Sequence, residues 1–360
     1  MKVSVSAQSL VQELRLLNHI IPNKPALPIL SSVFVHADQN HLVFYTTDLE
    51  IGFRTYCQAS IAEGGTLMLP AKRLLDLTEQ LMPDTEVQIS SQSGQVFLTA
   101  GGFRSRLQTH PPDDFPDIAD EPEAETLSLP TTALLGLIRQ VRYAISDKTK
   151  HLVPGALMQM TDKTLAMVAT DGKRLSLATA PRPKGESFSV IIPTQTLDAL
   201  TALFADGIMS VSNTEKHLFF QSSNHLLISR KLETEYPKYE SIIPRNTDKH
   251  LVVNRAELAA SLRRVGLLSE DNRAIILSID GGKPVTLSTS SHDAGDASEE
   301  VVAKYEGPEM KMCTSWRHLL DFLETATSPF VTLDCTTPAM PLLLGDGADF
   351  INVVLLMRMS

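Results

Sequence analysis

The chain has no run of about 18 apolar residues, the length a helix needs to span a bilayer. Its opening, MKVSVSAQSL, alternates apolar and polar positions and lacks the continuous apolar stretch of a secretory signal. No membrane association is expected, and the expected compartment is the cytoplasm. Cysteine is scarce: Cys57, Cys313 and Cys335 are scattered, odd in number and never spaced Cys-x-x-Cys. That pattern implies neither a zinc site nor a disulfide framework. Catalytic signatures are missing too. There is no GxxxxGK phosphate loop, no HExxH and no GxSxG, and the nearest dinucleotide-like glycine cluster, Gly345-Asp-Gly-Ala-Asp-Phe350, lacks its last glycine. No catalytic residue, metal ligand or cofactor is expected. Positive charge is also short, with a net charge of -10, which argues against a general nucleic-acid-binding surface.

What is present is an ordinary globular composition, 43% hydrophobic and 21% charged over 360 residues. Two or three domains are expected at this length. Much of the negative charge is local. The stretch from Asp113 to Glu125, DDFPDIADEPEAE, holds seven acids and no base, so the remainder sits near -3. Such a run reads as a solvated linker.

The chain repeats itself. At shifts of 124 and 248 residues, VSVSAQSLVQELRLLNHII from Val3 falls on LSLPTTALLGLIRQVRYAI from Leu127 and on LVVNRAELAASLRRVGLLS from Leu251. Five apolar columns agree: Val3, Leu127 and Leu251; Val5, Leu129 and Val253; Leu10, Leu134 and Leu258; Leu14, Ile138 and Leu262; Leu17, Val141 and Val265. Arg15, Arg139 and Arg263 share a sixth column. The first two columns alternate as a strand does, and the later ones step by 4 and 3 as one helix face does. Each copy therefore opens strand, turn, helix. The pattern recurs inside each copy, near Leu67, Ile191 and Met312, so each repeat is itself a doubled unit of about 60 residues. Alternating runs between the helices give roughly eight strands per repeat. One of them, HLFFQSSNHLLISRKL, carries a turn at Ser222–Asn224.

The expected fold class is α+β: three tandem repeats, each of two helices packed on antiparallel sheets, over residues 1–122, 126–246 and 250–360. A tandem array leaves two free sheet edges, which head-to-tail association covers by closing a ring. Asp48 and Asp171 hold equivalent places in TTDLE and ATDGK. Paired carboxylates can serve metal chemistry, but these lie in separate repeats, and capping their own turns is the expected role.

Several segments on this repeat frame carry a resemblance. They are Pro25-Ala-Leu-Pro-Ile-Leu30, Thr47-Asp-Leu-Glu50, Asp114-Phe-Pro-Asp117, Ala169-Thr-Asp-Gly-Lys-Arg-Leu175, Tyr236-Pro-Lys-Tyr239 with Ile242-Ile-Pro244, and Met357-Arg358. In this order they are similar to segments of the bacterial beta sliding clamp family. The resemblance implies a DNA-clamp fold and a homodimer closed head to tail into a ring. Such a ring encircles duplex DNA without sequence readout and gives the replicative polymerase its processivity. It implies a non-catalytic subunit of the DNA polymerase III holoenzyme.

The same resemblance implies site residues. Weak sliding contacts need only a few bases on inward helices and loops: Lys24, Arg15, Arg139, Arg142, Lys148, Lys150, Arg263 and Arg264, with Arg255 beside them. A partner groove would be walled by Thr170, Gly172, Lys173, Arg174 and Leu175, by Pro237 and Ile242, and by Val353, Leu355, Leu356, Met357 and Arg358. There the family takes Q-L-x-L-F-like motifs from the polymerase III alpha subunit, the clamp loader, other polymerases and repair proteins. Leu355 and Met357 also read as a core-facing last strand. Leu267 and Leu268, against Leu107 on a strand more polar than usual, would form the dimer interface. Departures from the family pattern are Lys173 for histidine, Leu356 for proline, and the run Leu152-Val-Pro154. The alternatives are a diverged clamp-fold binding protein that does not encircle DNA, and an enzyme for which no nucleophile–base pair is present.

Overall fold

Each repeat begins by running a strand straight into a helix. The computed structural model describes residues 1–92, 94–119, 121–122, 127–146, 153–269, 274–347 and 349–359. In it, strand Lys2–Ser6 leads into α1 (Ala7–Asn18) and Gly65–Pro70 into α2 (Ala71–Thr78). Leu127–Pro130 leads into α3 (Thr131–Arg142) and Phe188–Pro193 into α4 (Thr194–Leu203). Lys249–Asn254 leads into α5 (Arg255–Gly266) and Met310–Ser315 into α6 (Trp316–Thr325). The turn expected between strand and helix is absent, because the last strand residue is itself the cap. The Ser6 hydroxyl accepts from the Ser9 N–H at 3.1 Å. Asn254 Oδ1 accepts from the N–H groups of Ala256 and Glu257 at 3.0 and 3.1 Å. Both satisfy donors that the first helical turn leaves unpaired.

The apolar columns are the core. None of the fifteen residues they contain is more than 5% exposed. Each buried Leu, Ile or Val contributes about 1.5–3 kcal/mol of transfer free energy, so one strand–helix opening anchors its repeat through five such residues. Among the described residues the three repeats hold nine, eight and nine strands and two α-helices each. No helix there is long and apolar enough to cross a membrane.

The chain gathers into two units that do not coincide with the sequence repeats. The first holds residues 1–135, 184–186 and 195–231; the second holds 136–183, 187–194 and 232–360. Sheets that run through the repeat boundaries are the cause. In the first unit, strand His225–Arg230 of repeat two pairs with Ile51–Gln58 of repeat one, completing an eight-stranded antiparallel sheet. A five-stranded sheet in this unit ends on Phe103–Leu107. In the second unit, strand Arg174–Pro181 of repeat two pairs with Phe350–Val354 of repeat three inside a nine-stranded sheet. A four-stranded sheet there ends on Gly295–Val301. The hairpin His217–Ser222 to His225–Arg230 turns where expected, with Ser223 in the left-handed region at φ 54°.

Candidate functional site

The second unit carries a surface in which three stretches of chain meet. The first is the corner between strands Thr164–Thr170 and Arg174–Pro181. Asp171 Oδ1 accepts from the N–H groups of Lys173 and Arg174, each at 2.9 Å, and the Thr170 hydroxyl donates to the Arg174 carbonyl at 2.7 Å. Gly172 takes φ 78°, where it has no Cβ to clash. Asp171 is thus a turn residue, as its local sequence suggests.

The second stretch is the C-terminal segment. The last strand stops at Val354, so Leu355 and Met357 are not core-facing strand residues. They are 43% and 37% exposed. The Leu355 N–H donates to the Lys173 carbonyl at 2.9 Å and the Met357 N–H to the Cys313 carbonyl at 2.7 Å. The tail is therefore held on both sides of half-buried Leu356, and among the described residues the Leu356 N–H donates to no backbone carbonyl.

The third stretch is Tyr236–Ile243. Its two tyrosines turn inward, Tyr236 donating its hydroxyl to the Val168 carbonyl at 3.1 Å and Tyr239 to Gln159 Oε1 at 3.3 Å. Burial raises both phenol pKa values above the ordinary range. Beneath lies an apolar cluster of Leu157, Val168, Leu175, Ile191, Tyr239 and Val353, with Val153, Tyr236 and Ile243 packed on it. Of the expected walls, Leu175 and Val353 are floor, registered opposite each other across the sheet. Pro237, Ile242, Leu355 and Met357 are exposed apolar residues on these same stretches of chain. Gly172, Lys173 and Arg358 are exposed, and Thr170 is half-buried. Leu152 lies outside the described residues.

Arg174 departs from expectation. A rim arginine would offer its charge outward, but this side chain is only 10% exposed. Its Nε donates to Asp171 Oδ2 at 3.0 Å, its two terminal nitrogens to Asp321 and to the Tyr143 carbonyl, and its plane lies 5.0 Å from the Tyr143 ring. Burial pushes the Tyr143 phenol up to about 12, so it stays protonated between Ser176 and Asn352. Arg174 therefore fixes the corner and is not a rim charge. The sequence carried no local signal for Asp321 or Tyr143, which reach Arg174 only through the fold.

The basic residues stand apart from this surface. Lys24 and Arg139 are exposed and Arg142 is half-buried; Lys148 and Lys150 lie outside the described residues. Arg15, Arg263 and Arg264 are exposed but ion-paired, with Glu79, Glu324 and Glu299 respectively. Arg255 is not a surface base. It donates to the Ser328 and Leu323 carbonyls, each at 3.0 Å, and ties the start of α5 to the end of α6. At the interface positions, Leu267 is 79% exposed and Leu268 half-buried, but Leu107 is 6% exposed, buried in its own sheet. Leu107 shares one strand face with Ser105 and Phe103, and burial along that face falls toward the strand's start, where Phe103 is 40% exposed.

Comparison with known proteins settles the family. The N-terminal domain of the DNA polymerase III beta subunit matches residues 1–119, its central domain 128–238 and its C-terminal domain 240–360. The chain belongs to the DNA polymerase III beta subunit family. The beta sliding clamp of Synechococcus elongatus is 27% identical over 96% of this chain and 95% of its own length. That of Pseudomonas aeruginosa is 27% identical over the whole of both. The solved structure of the P. aeruginosa DNA polymerase III subunit beta superposes with a TM-score of 0.95 at 26% identity, covering both chains fully. The polymerase III beta of Caulobacter crescentus gives 0.94 at 27%, also over both full lengths. The family is one of sliding clamps, non-catalytic subunits that give a replicative polymerase its processivity. The α+β reading with three doubled repeats stands within that family.

Proposed function

We propose that two copies of this chain close head to tail into a ring around duplex DNA, and that the groove of the second unit docks Q-L-x-L-F-like segments of the polymerase, the clamp loader and repair proteins. The observation that carries the ring is the pair of outermost strands. Phe103–Leu107 presents Arg104 and Arg106 to solvent beside Phe103. Gly295–Val301 presents Asp296 and Glu300, and α5, which packs on it, ends at exposed Leu267. A basic edge on one copy and an acidic edge on another are complementary for strand addition, which removes the aggregation hazard of an open edge. Apolar Phe103, Leu267 and Leu268 supply the burial that a stable isologous pair of such contacts requires.

The groove reading rests on exposed Pro237, Ile242, Leu355 and Met357 on stretches whose neighbouring residues Leu175, Tyr239 and Val353 form one apolar cluster, a composition that suits a short hydrophobic motif. The ring is tested by loading the protein on nicked circular DNA. It should resist salt while the circle is intact and slide off after linearisation. Retention governed by salt alone, whatever the DNA topology, would favour a clamp-fold binding protein that does not encircle DNA.

A further inference from the structure

The ninth residue of the first helix is arginine in all three repeats: Arg15 in α1, Arg139 in α3 and Arg263 in α5. Counted the same way from the start of the second helix, the ninth position holds Glu79, Ala202 and Glu324. Where the acid exists, the two meet. Arg15 Nε donates to Glu79 Oε1 at 2.8 Å, and Arg263 donates through one terminal nitrogen to Glu324 Oε1 at 2.8 Å. One cross-helix pair is thus built in repeats one and three, with alanine at the acid's position in repeat two. Helix stability does not account for it. Exposed pairs of this kind contribute little, and an acid in the last turn faces the negative end of the helix dipole.

Resting on the reading that these helices face DNA, we propose that Glu79 and Glu324 are positioning residues that restrain the grip on the duplex. Each carboxylate occupies a guanidinium that would otherwise bind a phosphate, and each adds negative charge beside the backbone. A phosphate must compete with the carboxylate for the arginine, so contacts form and break easily and the ring slides. In repeat two, Arg139 is exposed with Ala202 at the acid's position, and it is the arginine of this column that engages phosphate most readily.

The test is the assembled protein carrying Glu79→Gln and Glu324→Gln, singly and together, titrated with a labelled short duplex at stepped salt. Glutamine keeps the shape and removes the charge. The double variant should bind about tenfold tighter at low salt, with a steeper fall in affinity as salt rises. Each single variant should give part of that gain, with melting and sedimentation unchanged. Arg15→Ala with Arg263→Ala is measured alongside. If the arginine variant weakens binding while both glutamine variants leave it unchanged, the arginines face DNA but the acids do not restrain them, and the inference is wrong. If neither set alters binding, the helix faces do not meet DNA, and the inference falls together with the reading beneath it.

Discussion

Thr47–Ile51 in repeat one and Thr170–Arg174 in repeat two close the same corner with the same bonds. Asp48 Oδ1 accepts from the N–H groups of Glu50 and Ile51 at 2.9 and 2.8 Å, as Asp171 does from Lys173 and Arg174. The Thr47 hydroxyl donates to the Ile51 carbonyl at 2.7 Å, as Thr170 does to that of Arg174. The residue after the aspartate is left-handed in both, Leu49 at φ 84° and Gly172 at φ 78°. The difference is in the side chains. At the closing position repeat one has buried Ile51, and repeat two has Arg174, bound to Asp171, Asp321 and the Tyr143 carbonyl. Both corners also hold a separate stretch of chain through the residue before the closing position, Glu50 accepting the Arg230 N–H and Lys173 the Leu355 N–H, each at 2.9 Å. One backbone device closes on a buried apolar side chain in one place and on a bonded arginine in the other, where we propose the wall of a groove. What separates the two corners is the closing side chain and the groups that hold it, not the turn and not the docking of a distant segment.

The largest expected effect comes from removing what distinguishes the second corner. Arg174→Ala leaves two carboxylates without their partner and should cost about 2–4 kcal/mol, somewhat below the range for a fully buried pair because Asp321 is partly exposed. Urea unfolding measures it. Next is a matched pair of changes. Asp171→Ala should cost about 2–3 kcal/mol and Asp48→Ala about 1–2, since both free two backbone donors but only Asp171 also holds an arginine. Equal losses would mean that the Arg174 contacts add nothing to the corner.

A smaller effect is expected from Gly172→Leu, about 1–2 kcal/mol, because the left-handed region penalises a side chain. The reverse change, Leu49→Gly, should move stability by less than about 0.5 kcal/mol, since relief of strain and added freedom of the unfolded chain oppose each other. Leu356→Pro should alter affinity for a partner peptide by less than about tenfold, or about 1.4 kcal/mol. The tail is already pinned at Leu355 and Met357, and among the described residues the lost N–H makes no backbone bond.

The fold was legible because its signals are periodic. Leu10, Leu134 and Leu258 keep one spacing and one buried environment through all three repeats. The corner aspartates were legible because an Asp that caps its own turn needs only its neighbours. That Arg174 is bound inward was not legible, because its partner Asp321 lies 147 residues away on α6. At Leu107 the sequence shows apolar type but not burial, because the depth of a strand residue depends on the sheet neighbours that cover its face. Leu355 and Met357 read as core because apolar type alone does not reveal that the strand stops at Val354.

The measurement that bears most directly on the second corner's role is a calorimetric titration of a Q-L-x-L-F peptide against the full chain and against a chain ending at Val354. The strand that pairs with Arg174–Pro181 is kept in the shorter chain, and its melting curve verifies that it folds. Leu355 and Met357, one wall of the proposed groove, are gone. The full chain should bind and the shortened chain should give no heat beyond dilution. Full-strength binding by the shortened chain would place the partner site elsewhere and leave the corner at Asp171 as no more than a second copy of the one at Asp48.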